Sequence, residues 1–129
     1  MKQIAETYDV SMSKDTFEYE FTHNNGFKRN EYRYFNQIAL TDPIQNKSRT
    51  YSELIKEVNK LALSLSKDVI VKNDVLGNQL FSRPDFAFLY LAPKKIGAVN
   101  SPINFLLAPV ETAEIFDKSK PKIFFMMRY

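Results

Sequence analysis

Residues able to do covalent chemistry are scarce in this chain. Its 129 residues include no cysteine and a single histidine, which excludes disulfides, thiolate metal sites and cysteine nucleophiles. His23 stands next to Asn24-Asn25-Gly26, a turn signal, and no neighbouring cluster would complete a metal site. The three glycines, at 26, 77 and 97, lie too far apart for a glycine-rich phosphate loop. Lys118, Lys120 and Lys122 resemble a phosphate patch. At the end of a helix, however, three cations are expected to complement the helix dipole. Ser82, Arg83 and Asn104 remain, each just beyond an apolar segment that reads as a strand. Open α/β sheets bind ligands along the carboxyl ends of their strands, so these three are the substrate-edge candidates. The competing reading is that they merely turn or cap the chain. No catalytic, cofactor-binding or metal-ligating residue is expected.

The elements that would position these residues are clearest from Thr50 onward. Leu54, Ile55, Val58, Leu61, Ala62 and Leu65 repeat at helical spacing, which predicts an amphipathic helix over 51–66. Thr50 and Glu53 form a capping box at its start. A short strand is predicted over 75–81. A second helix opens at Pro84, whose missing donor costs nothing at the first position, with Ser82 able to cap it. Asp85 favours the first turn, and Gly97 supplies the left-handed stop. Pro93 should kink or break this helix, because its ring collides with the carbonyl of Leu89. A four-residue strand over 98–101 follows. A third helix is expected from Pro109 to Lys118, with Glu114 and Lys118 placed to pair. Pro121 ends it, and a last apolar strand covers 122–127. Strands separated by helices of this length predict right-handed βαβ crossovers and a parallel sheet.

Upstream the pattern is weaker. Phe17, Tyr19 and Phe21 alternate with Glu18 and Glu20 as in a half-buried strand. A turn is expected at His23–Gly26, a short helix over 31–37, a strand over 38–41 and a loop from Asp42 to Lys47. Phe86, Phe88 and Tyr90 are expected to pack on more than one side of their helix. The fold class is therefore α/β, a three-layer βαβαβ parallel-sheet subdomain. Residues 1–37 read as an extension and 38–129 as the domain itself.

Composition sets the outer bounds. The chain is 44% hydrophobic and 26% charged, with 18 basic against 15 acidic side chains, which suits a globular fold. A nucleic-acid binder would concentrate its basic residues on one face, and these are interspersed. The longest apolar run, Phe86–Pro93, is far short of the ~18–20 residues that span a bilayer. The first twenty residues lack the apolar segment of a signal peptide. A soluble, cytoplasmic protein is expected.

Three segments, in order, resemble the beginning of an AMP-forming acyl-CoA synthetase of the adenylate-forming superfamily. They are Arg49-Thr50-Tyr51-Ser52-Glu53-Leu54, the run from Gly77 to Phe86, and Lys95-Ile96-Gly97-Ala98-Val99-Asn100-Ser101-Pro102-Ile103-Asn104. Asn59 and Ala62 also match the family's usual residues. The middle run is most similar to the fatty-acid–CoA ligase branch, with Ser82 in place of the usual Asn and Asp85 in place of Glu. The resemblance implies a parent that uses ATP, Mg²⁺ and CoA to activate a carboxylic acid through an acyl-adenylate. It covers about residues 38–126, roughly the first quarter of a typical member. The family's phosphate loop, which ends in Pro-Lys-Gly, has no counterpart here, nor does the lysine of its small mobile domain. The segment is therefore expected to be scaffold, inactive alone and without bound cofactor. Its apolar last strand would favour self-association. A self-standing α/β binding module and the start of a peptide-synthetase adenylation domain are the alternatives.

Overall fold

The computed structural model describes residues 22–67 and 70–127. The expected alternating strand at Phe17–Phe21 lies outside them. Among the described residues the order of elements is α1 (His23–Tyr34), β1 (Ile38–Asp42), β2 (Lys47–Thr50), α2 (Tyr51–Lys67), β3 (Val75–Gln79), α3 (Pro84–Lys95), β4 (Val99–Pro102), α4 (Pro109–Ser119) and β5 (Ile123–Met126).

The first departure from expectation is α1, which begins where a turn was predicted and ends earlier than the predicted 31–37 helix. Thr22 caps it. Its hydroxyl accepts from the Asn25 amide at 3.3 Å, and its carbonyl accepts from the Gly26 amide at 3.0 Å. A cap one residue upstream thus turns the Asn-Asn-Gly run into a first helical turn. Next, β1 and β2 pair antiparallel, with Asp42 opposite Lys47. The expected loop from Asp42 is the turn of this hairpin, and Lys47 already belongs to β2. Asp42 Oδ1 accepts the amides of Ile44 (3.0 Å) and Gln45 (3.2 Å), an Asx turn that closes the hairpin.

Helix α2 starts directly from β2, and its first three free amides are all accounted for. Tyr51 N donates to Gln37 O at 3.0 Å and Ser52 N to Phe35 O at 3.2 Å. Glu53 N donates to Thr50 Oγ1 at 3.3 Å. Glu53 Oε2 in turn accepts from Thr50 N at 2.8 Å, which completes the predicted capping box. The stripe of Leu54, Ile55, Val58, Ala62 and Leu65 is buried. Leu54, Val58, Ala62 and Leu65 pack with Ile70, Leu76, Leu89, Ala92 and Ala98 in one core.

The main sheet is parallel, as predicted, in the order β4-β3-β5. Alternation along β3 decides which helix lies on which face. Leu76 belongs to the core with α2 and α3. Gly77 points the other way, towards Phe124 and Pro121, and Gln79 on that same face touches Thr112 of α4. Helices therefore cover both faces, making the three layers. The β3-to-β4 connection moves in one direction across the sheet and the β4-to-β5 connection moves back past β3. Right-handed crossovers in opposite directions put their helices on opposite faces.

Helix α3 runs through Pro93 to Lys95, so the expected break does not occur there. Pro93 sits in the last turn, where the missing donor removes only the one bond to Leu89 O. Its own carbonyl then accepts Ile96 N at 3.1 Å and Ala98 N at 2.9 Å, and Gly97 (φ +74°) turns the chain out as expected. Ser82 does not cap α3. The N-cap is Arg83, with no side-chain bond to the helix. Phe86 and Tyr90 stack four residues apart, with centroids 6.3 Å apart, while Phe88 lies under the Arg49 guanidinium at 5.3 Å.

At the amino end of the sheet, Lys122 Nζ bonds Asp74 Oδ2 at 2.8 Å rather than serving α4. Lys120 is the left-handed C-cap of that helix (φ +44°). Among the described residues no ion pair joins Glu114 to Lys118.

Candidate functional site

The loops that leave the carboxyl ends of β3 and β4 depart towards opposite faces of the sheet. A crevice opens where neighbouring strands send their chains apart, and such crevices are the usual ligand edge of open α/β sheets. Two aromatic side chains meet across it. Phe81, from the β3 loop, and Phe105, from the β4 loop, have centroids 4.5 Å apart. The crevice continues under α4 and β5 as a cleft of about 610 Å³, lined by Phe81, Phe105, Leu107, Phe116, Phe124 and Met126 among others. Its polar groups are few: Gln79, Thr112 and Asp117. A mostly apolar cavity of this size with a few placed polar groups is what small-molecule sites look like.

The three residues singled out from the sequence follow the carboxyl ends of β3 and β4, but none of them lines the cleft. Ser82 is exposed and Arg83 half-buried in the β3–α3 connection. The side chain of Asn104 is occupied by its own loop, with Oδ1 accepting Leu106 N at 3.0 Å, and its carbonyl accepts Leu107 N at 3.3 Å. Sequence reasoning passed over Gln79. Its Nε2 donates to Asn104 O and to Thr112 Oγ1, both at 3.1 Å, so one amide joins β3, the β4 loop and α4. The only sequence signal for this role is a long polar residue at the end of the strand. Just inside the edge, Asn78 is fully buried, and its Nδ2 donates to Asn100 Oδ1 at 2.7 Å. The remaining amide atoms, Asn78 Oδ1 and Asn100 Nδ2, have no partner.

These groups suit binding rather than bond-making. Among the described residues no three His, Cys, Asp or Glu side chains gather as a metal site would need. The cleft lining has one carboxylate, Asp117, and no lysine or glycine-rich turn. The donor set therefore does not fit ATP phosphates or Mg²⁺. His23 is exposed and stacks on Phe27 with centroids 5.2 Å apart. Partial burial, and secondarily Lys94, hold its pKa below the usual value. It lies on α1, away from the cleft lining. None of the described helices is long and apolar enough to cross a membrane.

Known proteins share this architecture. The N-terminal subdomain of Klebsiella oxytoca NpsA matches 78% of this chain and 25% of its own length, with a TM-score of 0.73 at 24% identity. NpsA joined artificially to ThdA is an adenylation–PCP di-domain NRPS. A Mycobacterium tuberculosis fatty acyl CoA synthetase matches 78% of this chain and 20% of its own, with a TM-score of 0.74 at 25% identity. In sequence, an Arthrobacter 4-chlorobenzoate–CoA ligase is 30% identical over 78 residues. Those residues are 60% of this chain and 15% of that ligase, so the chain spans a small share of the relatives it matches. The family model described as AMP-binding enzyme matches residues 27–128, which take in the capping box, the parallel sheet and the crevice alike. The chain belongs to the AMP-binding enzyme family.

Proposed function

We propose that this chain is the amino-terminal scaffold of an ATP-dependent, AMP-forming ligase that joins a carboxylic acid of the fatty-acid class to CoA. The observation that carries this reading is the family match over residues 27–128. The acyl-CoA ligases among its relatives support the acid–thiol reaction. In this reading residues 38–129 are part of the large domain and residues 1–37 an extension to it. The scaffold's share of the work is positional. Its sheet fixes the crevice, its cleft offers a mostly apolar lining, and Ser82, Arg83 and Asn104 stand at the substrate edge. Nucleotide, Mg²⁺ and CoA would be held by other residues of the parent; the groups of this cleft do not fit phosphates or Mg²⁺. A cytoplasmic location goes with such a parent.

The test is pyrophosphate release. The 129 residues alone should release none from ATP and a fatty acid, and the same residues within a parent carrying the phosphate loop should release it. Release by the isolated chain would refute the scaffold assignment. The NpsA likeness supports a second reading, adenylation of an amino acid or an aryl acid by a peptide-synthetase domain. Acid-dependent exchange of pyrophosphate into ATP, compared across fatty, aryl and amino acids, separates the two. A thermal-shift screen of the isolated chain against ATP, AMP, CoA and fatty acids, with sedimentation, tests a self-standing module that binds its own ligand.

A further inference from the structure

We propose that Gln79 is the positioning residue of the ligand edge, a latch that holds the 103–108 loop and α4 against the carboxyl end of β3. Its place at the end of the central strand makes this possible. The backbone carbonyl of Gln79 accepts Met127 N at 3.4 Å, so the residue also reaches the end of β5. Both hydrogens of its side-chain amide are used, one on the Asn104 carbonyl and one on the Thr112 hydroxyl. The Asn104 carbonyl is the same atom that accepts Leu107 N, so the latch grips the turn at its hinge. Phe105 and Leu107 of this loop line the cleft, and so do Thr112 and Phe116 of α4. Releasing the latch therefore moves both walls. The latch follows from geometry alone, and its consequence for an acid substrate rests on the reading above.

The two bonds differ chemically, which makes the proposal testable. In Gln79→Glu a carboxylate replaces the amide donor. The Thr112 hydroxyl can rotate and donate to it, whereas the Asn104 carbonyl, an acceptor only, cannot. Gln79→Glu should release the loop and keep α4. Thr112→Val should release α4 and keep the loop. The measurement is amide hydrogen exchange of the 129-residue chain, corrected for intrinsic rates. Gln79→Glu should speed exchange at Leu106 and Leu107 about tenfold, the order expected for losing one such bond, with Ile103 and the core strands unchanged. At a pH where the introduced carboxyl is protonated, its hydroxyl can donate to Asn104 O, and the loop should regain protection. In Thr112→Val the faster exchange should appear in the first turn of α4 and not at Leu106 or Leu107. Uniform acceleration in both variants, or none at Leu106 and Leu107 in Gln79→Glu, would overturn the latch. If Gln79→Glu fails to fold, exchange confined to α4 in Thr112→Val supports the latch, and uniform exchange there overturns it. Neither result bears on pyrophosphate release, so latch and ligase assignment fail separately.

Discussion

Gly77 gives the sharpest test of how the sheet is packed. It lies in the middle of β3, opposite Ser101 on one side and Phe124 on the other. A Cβ placed there would stand 2.6 Å from Phe124 Cδ2, and 3.2 Å from both Phe124 Cε2 and Pro121 Cβ. Carbon atoms pack best at about 3.5–4.0 Å, so the Phe124 ring has to move. That ring is held edge-on against Phe116, with centroids 5.4 Å apart and planes at 77°. Overpacking of this kind costs roughly 1–3 kcal/mol. Removing glycine's extra freedom from the unfolded chain returns about 0.5–1 kcal/mol. The balance is a net destabilisation of roughly 1 kcal/mol for Gly77→Ala. The chain has no tryptophan, so urea unfolding followed by far-UV circular dichroism is the suitable assay. The urea midpoint should fall with little change in slope. In a Phe124→Leu background the obstructing ring edge is gone, and the cost of Gly77→Ala should drop by half or more. An unchanged midpoint for Gly77→Ala, or an equal cost in both backgrounds, would refute the packing argument.

Three further outcomes are expected. Thr50→Ala removes the hydroxyl that accepts Glu53 N and should cost about 1 kcal/mol in urea unfolding, whereas Thr50→Ser should stay near wild type. Asn78→Leu strands a half-buried Asn100 amide and should cost about 1–3 kcal/mol. The double change Asn78→Leu with Asn100→Leu should cost less than the sum of the singles, which a double-mutant cycle reads directly. Asp74 is held below the usual carboxylate range by the Lys122 ammonium and then by the Val71 amide. With its folded pKa depressed, its contribution is complete above the unfolded value, about 3.9, and disappears as pH falls through the folded one. Unfolding midpoints measured down through this acidic window should fall less steeply in Lys122→Met than in wild type.

Much of what was written in local chemistry was legible in the sequence, although the cap at Ser82 and the break at Pro93 were not borne out. Thr50 and Glu53 announced α2, Pro84 and Gly97 bracketed α3, and the spacing of strands and helices foretold a parallel sheet. Where the outcome depended on partners distant in sequence, the pattern failed. The β2 run Lys47-Ser48-Arg49-Thr50 has no apolar alternation, and it is a strand because β1 lies beside it. Asn24-Asn25-Gly26 reads as a turn until Thr22 caps it, and α1 is also tied to α3 by a bond from Asn24 Nδ2 to Lys94 O at 3.2 Å. Pro93 is tolerated because the helix was about to end. Ser82, Arg83 and Asn104 were singled out because they follow predicted strands, and Gln79, which bonds across to Asn104 and Thr112, was not among them. Gln79, Asn104 and Thr112 are 25 and 33 positions apart counted from Gln79, too far for any local period to reveal. The aromatics of the cleft likewise come from four separate stretches of chain.

Thr50 ends one element and begins the next, pairing with Ile38 across the hairpin and capping the longest helix of the described residues. A slip of one residue between β1 and β2 would therefore do more than turn side chains over. It would carry off the carbonyls of Gln37 and Phe35 that receive the amides of Tyr51 and Ser52 in the first turn of the helix. A ribbon of four or five residues has little power to enforce its own alignment. Here the error would be felt seventeen residues deep, and the helix acts as proofreader for the hairpin.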